Sequence, residues 1–117
     1  MGKHHFLSVV YYSYKPGSLD LLAESLSKQT YTNYELIIID DYKERNHEKV
    51  VEYFKQYDVP LTVHCPSKPK CFPNTRYGQI NAINTGFLHS KGQVLIGVSD
   101  FTYLQPQALE RWNHVFT

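Results

Sequence analysis

The sequence predicts an α/β fold, with a mainly parallel β-sheet and helices on both of its faces. Two observations carry that expectation. Short runs of β-branched and aromatic residues alternate with segments whose apolar residues recur at helical spacing, in the order β-α-β-α-β-α-β-α. The run from Tyr34 to Ile39 is almost continuously apolar, as a strand buried on both faces requires. No internal repeat or low-complexity segment competes with this pattern, which calls for a layered sheet.

Each element has its own signal. Phe6 to Tyr12 is rich in β-formers and is expected to be a strand, which Pro16-Gly17-Ser18 ends, with Ser18 offered as an N-cap. Leu19, Leu22, Ala23 and Leu26 then fall on one helical face. The second strand stops abruptly at Asp40-Asp41. From about Asn46 to Tyr57 the helical spacing returns with Val50, Val51, Phe54 and Tyr57. Val59 to His64 is expected as a short third strand, and residues 65–74 as a loop with three prolines. Thr75 to Ser90 is expected as a helix that buries Ile80, Ile83, Phe87 and Leu88 and is closed by Lys91-Gly92. Gln93 to Val98 makes the fourth strand, and Pro106 sits where a proline is tolerated, in the first turn of a last helix.

Bulk properties narrow the function. A chain of 117 residues favours one compact unit, residues 1–117 as a single domain. Apolar residues at 42% and charged residues at 20% fit a soluble globular protein. A net charge of +1 gives no electrostatic reason to expect nucleic acid or an acidic membrane surface. No apolar run approaches the roughly 20 residues of a membrane span, and Met1 to His5 is too polar for a signal peptide. A cytoplasmic, soluble protein is expected. Cys65 and Cys71 lack a second pair of ligands at zinc spacing, so free thiols are the expectation, with a disulfide open in an oxidising compartment.

In parallel sheets, ligands bind beyond the carboxyl ends of the strands, where strand order reverses. The residues at those ends are Tyr12 to Lys15, Asp40-Asp41, the loop after His64, and Ser99 to Thr102. Asp40 and Asp41 read either as a solvated turn or as hydrogen-bond acceptors for a base or ribose. Asp100 has the same two readings, and a second acid beyond another strand end favours a shared crevice. Arg76 opens the third helix, and its planar fork suits a phosphate or a base edge. No G-x-G-x-x-G follows the first strand, which argues against a dinucleotide fold, and neither a P-loop nor a G-x-S-x-G elbow is present.

Four stretches resemble glycosyltransferase family two. Phe6 to Tyr14 is similar to the family's opening strand. Ser25 to Asp41 resembles its "S-x-x-x-Q-T-Y-x-x-x-E-I-I-V-V-D-D" block. Thr75 to Gly86 is similar to the helix with the family's arginine and asparagine-x-glycine signal, and Gly92 to Leu109 to its segment "G-x-x-I-x-x-x-D-x-D-x-x-x-P-x-A-L". The resemblance implies a Rossmann-like GT-A fold and an inverting transfer of a sugar from a nucleoside-diphosphate donor, UDP-linked in most of the family, to an acceptor hydroxyl. It implies a donor site made by Tyr12, Tyr14, Asp40, Asp41, Arg76, Ser99 and Asp100. Asp100 would also be the metal ligand for Mn²⁺ or Mg²⁺. Phe101 stands where an acid would be expected and cannot ligate a cation, which leaves Asp100, diphosphate oxygens and waters to hold it. The family's acceptor-binding half, with its general base, is expected outside these 117 residues, and the sheet edge and apolar patch that its absence would expose favour a homo-oligomer. The alternative is a module that keeps the fold and binds a nucleotide sugar without turnover.

Overall fold

The computed structural model describes residues 5–13, 19–40, 46–64, 76–98 and 102–116, with the side chains of residues 76–82 outside that description. The expected element order is present: β1 Leu7–Ser13, α1 Leu19–Ser27, β2 Tyr34–Asp40, α2 His47–Lys55, β3 Leu61–His64, α3 Arg76–His89, β4 Val94–Val98 and α4 Ala108–Val115. All strands are parallel, in the order β3-β2-β1-β4.

The pleat turns alternate residues to opposite faces, and the core divides accordingly. Leu7, Val9 and Tyr11 of β1 pack with Leu36 and Ile38 of β2 against Leu22, Ala23 and Leu26 of α1, Val50 and Phe54 of α2, and Leu109 of α4. On the other face Val10, Ile37 and Ile39 are covered by Phe87 of α3. The sheet is therefore sandwiched, with α1, α2 and α4 on one side and α3 on the other. Val10 and Ile37 to Ile39 are all buried, which accounts for the continuous apolar run in β2.

Three expectations need correction. Leu88 is 85% exposed, whereas Thr85 and Gly86 face the sheet. A Cβ on Gly86 would overlap Val10 Cγ1 and stand 3.2 Å from Ile39 Cγ1. The helix is thus seated on its small residues, and a stripe drawn through the large ones is rotated away from the contact. The third strand begins at Leu61 rather than Val59 because Asp58 adopts a left-handed φ of 56° and Pro60 has no N–H for the ladder. Tyr57 lies beyond the end of α2. No helix among the described residues is long and apolar enough to cross a membrane.

The Gln-Thr-Tyr sequence after α1 fastens the last helix. Gln29 Nε2 donates to the carbonyls of Ser25 (3.1 Å) and Gln105 (2.7 Å), and its Oε1 accepts from Leu109 N–H (3.1 Å). Thr30 N–H donates to Pro106 O at 2.9 Å, and Thr30 Oγ1 donates to Glu110 Oε2 at 3.1 Å. Tyr31 Oη donates to His5 O at 2.5 Å. Tyr31 Oη also lies 3.1 Å from Asn113 Oδ1, so the three residues together join the start of β1 and the end of α1 to the segment from Gln105 to Asn113.

Candidate functional site

The strand order fixes where a ligand crevice can form. The chain lays β2 and β3 to one side of β1 and then returns to place β4 on the other. The order therefore switches direction between β1 and β4, and in parallel sheets ligands bind beyond the carboxyl ends of the strands at such a switch point. The register sets the depths of these ends: Ser13 pairs with Asp40, and Tyr11 with Val98. α3 leads into β4 and runs antiparallel to the strands. Gly86 meets Val10 and Ile39, and the ten residues back to Arg76 span about 15 Å of helix. The first turn of α3 is thereby carried towards the carboxyl side of the sheet.

Two of the expected site residues have described side chains. Tyr12 is half-buried on the α3 face and packs against the Val10, Ile37 and Ile39 group. Asp40 lies on the opposite face. Its side chain is fully buried, and Oδ2 stands 3.2 Å from His47 Nε2 in the first turn of α2. A buried carboxylate is costly without nearby donors or positive charge, and the imidazole faces it directly. Asn46 holds that turn in place: its Oδ1 accepts from Glu48 N–H at 3.0 Å and Lys49 N–H at 3.4 Å. His47 is a neighbour of Asp40 that no sequence motif singles out. The only hint is its place directly after a capping asparagine.

Tyr14, Asp41, Ser99 and Asp100 lie outside the described residues, as does the side chain of Arg76, although Arg76 is the first residue of α3. Among the described residues no group of three or more His, Cys, Asp or Glu is placed to hold a metal ion. A groove of about 740 Å³ along α4, lined by Tyr103, Leu104, Pro106, Arg111, Trp112 and Val115, is at the other end of the molecule. Gln29 and His5, at the amino end of the sheet, hold that region.

Comparison with known proteins decides the family. The model of glycosyl transferase family 2 matches residues 9–112. The chain belongs to this family. A glycosyltransferase of Haemophilus influenzae, itself uncharacterized, is 35% identical over 107 residues, which is 90% of this chain and 32% of that protein. The chain thus spans about a third of the relative's length. Among solved structures, that of S. aureus TarS is similar at a TM-score of 0.71 and 20% identity, covering 92% of this chain and 19% of TarS. The TarS 1–349 fragment in complex with UDP-GlcNAc is similar at a TM-score of 0.69 and 19% identity, covering 92% and 30%. The fold of the family 2 chain is accordingly the GT-A arrangement of these transferases.

Proposed function

We propose that this chain is the donor-binding part of a glycosyltransferase that takes a sugar from a nucleoside diphosphate, UDP in the first instance, and transfers it to an acceptor hydroxyl with inversion. The observation that carries the reading is the strand order β3-β2-β1-β4, which sets the carboxyl ends of β1, β2 and β4 side by side, where parallel sheets with a switch in strand order bind ligands. Family membership and the UDP-GlcNAc complex of TarS support it.

In this reading Asp41 accepts the N3–H of a uracil base, Tyr12 and Tyr14 frame the base, and Arg76 neutralises phosphate charge at the head of α3. Asp40, buried against α2, contributes by holding the end of β2. Asp100, flanked by Ser99, is the one carboxylate of its motif, and with diphosphate oxygens and waters it would hold Mg²⁺ or Mn²⁺. The metal would neutralise the departing diphosphate. The acceptor hydroxyl attacks the anomeric carbon from the face opposite the nucleotide, the bond to the diphosphate oxygen breaks, and a carboxylate takes the hydroxyl proton. That general base is assigned to none of these 117 residues. It belongs to an acceptor-binding half, for which the unmatched two-thirds of the H. influenzae relative leave room.

A thermal-shift panel of UDP, GDP and UDP-GlcNAc, each with and without Mn²⁺, tests the reading. The expected result is stabilisation by UDP and UDP-GlcNAc that Asp41→Asn abolishes. Absence of any shift with every nucleotide under both conditions would sink it.

A further inference from the structure

We infer that the outward face of α4 is a self-association surface, on which a second copy of this chain packs its own α4 antiparallel about a twofold axis. The helix has two faces. On the inner one Leu109 is fully buried in the core, and Asn113 Oδ1 accepts from His5 N–H at 2.8 Å. Thr30 Oγ1, donating to Glu110 Oε2, adds a third tie to the body. On the outer face Ala108, Arg111, Trp112 and Val115 follow one another at spacings of three, one and three residues, which is a single helical stripe. All four line the groove of about 740 Å³.

Shape, size and charge select a second copy as the occupant. The stripe is its own complement: reversed end to end about a point between Arg111 and Trp112, it sets Ala108 opposite the partner's Val115 and Arg111 opposite the partner's Trp112. A small residue then faces a branched one, and a guanidinium faces an indole, whose ring attracts a cation. A twofold axis makes each contact twice. Trp112 is 44% exposed and Val115 69%, with Tyr103 and Phe116 exposed beside them. Together these four offer roughly 300–400 Å² of largely apolar surface, given the area that aromatic side chains bury, a patch of the size that marks interaction sites. With the polar rim of Gln105 and Gln107 it suits an interface at the small, reversible end of the range. A net charge of +1 puts little repulsion between two copies. The face is also ordered in advance, since the Trp112 ring stacks with Phe116 at a centroid distance of 6.2 Å, which lowers the cost of association.

Trp112 is the one tryptophan in the sequence, so its fluorescence reports on this face alone. The experiment is analytical ultracentrifugation of the chain from about 1 μM to about 1 mM, with tryptophan emission followed over the same range. A reversible monomer–dimer equilibrium is expected, with emission moving to the blue as dimer forms. Val115→Glu and Ala108→Lys should each weaken the dimer about tenfold or more, because each sets a charge against an apolar group of the partner. Both positions lie on the outer face, so the fold should survive, and an unchanged circular dichroism spectrum checks that it does. In the double variant A108K/V115E the two new charges meet across the axis, and dimerisation should return to within about threefold of the wild type, the coupling expected of residues in contact. A chain that stays monomeric throughout, with fixed emission, would overturn the inference and leave the groove to a different occupant. A dimer that Val115→Glu leaves intact would overturn it too, moving the contact elsewhere, as to the edge of β4 away from β1. A double variant as weak as the single ones would overturn the antiparallel pairing.

Discussion

Substituting alanine for Gly86 tests how α3 is seated. The added Cβ would overlap Val10 Cγ1 and lie 3.2 Å from Ile39 Cγ1, whereas unstrained carbons sit about 3.5–4.0 Å apart. Neither neighbour can retreat. Val10 is 1% exposed on a strand paired on both sides, and its β-branched side chain is stiff. Ile39 is fully buried. The helix must therefore lift, and lifting loosens Phe87 from the same face. Overpacking of this kind costs about 1–3 kcal/mol, against a gain of about 1 kcal/mol from replacing glycine within a helix. The expected net effect is a loss of up to about 2 kcal/mol, read as a lower urea midpoint with unchanged slope. Gly97→Ala is the control, because a Cβ there meets nothing within 4 Å. Relief of the glycine penalty in a strand should make it neutral or stabilising by about 0.5–1 kcal/mol. A Gly86→Ala variant as stable as the wild type would refute this account of the seating, and a destabilised Gly97→Ala would refute the account of the edge.

Further outcomes follow from the same structure. Gly92→Ala should lose at least about 2 kcal/mol by urea unfolding, because its Cβ would stand 2.6 Å from Ser8 N and 2.8 Å from Phe6 O, backbone atoms that cannot yield. Gln29→Leu should cost about 2 kcal/mol or more and speed amide exchange at Leu109, since it leaves the buried Leu109 N–H and the Gln105 carbonyl without this partner. Burial and the stacked ring of His89, 3.8 Å away, hold the His64 imidazole below its usual pKa of 6.5. With the folded value depressed, the unfolded chain takes up the proton first. Stability present above pH 6.5 is then lost as pH falls through the folded value. The urea midpoint should drop between pH 7.5 and 5.0, and the drop should shrink in His64→Phe.

Most of the fold was legible because parallel strands buried on both faces leave long apolar runs, and the crossover helices between them keep their periodicity. What escaped the sequence is contact made by small or polar residues. Pattern reading placed Leu88 in the core because it weighs size, but a helix that approaches a sheet closely does so on Thr85 and Gly86. Gln29, Thr30 and Tyr31 were visible as a motif, yet they reach partners in and before the last helix 76, 80 and 82 residues away in sequence, which no local spacing encodes. Asp40 and Asp41 looked equivalent as neighbours. The pleat and the first turn of α2 give Asp40 a buried place beside His47, and only a folded sheet reveals which face it takes.

The central claim is that the crevice at the carboxyl ends of β1, β2 and β4 receives a nucleoside diphosphate. Titrating UDP with Mg²⁺ into the isotopically labelled chain, and following each amide by NMR, tests it most directly. The account predicts saturable shifts centred on Tyr12, Asp41, Arg76 and Asp100, with the α4 groove around Arg111 and Trp112 unmoved. Shifts confined to that groove, or none at millimolar UDP, would contradict it.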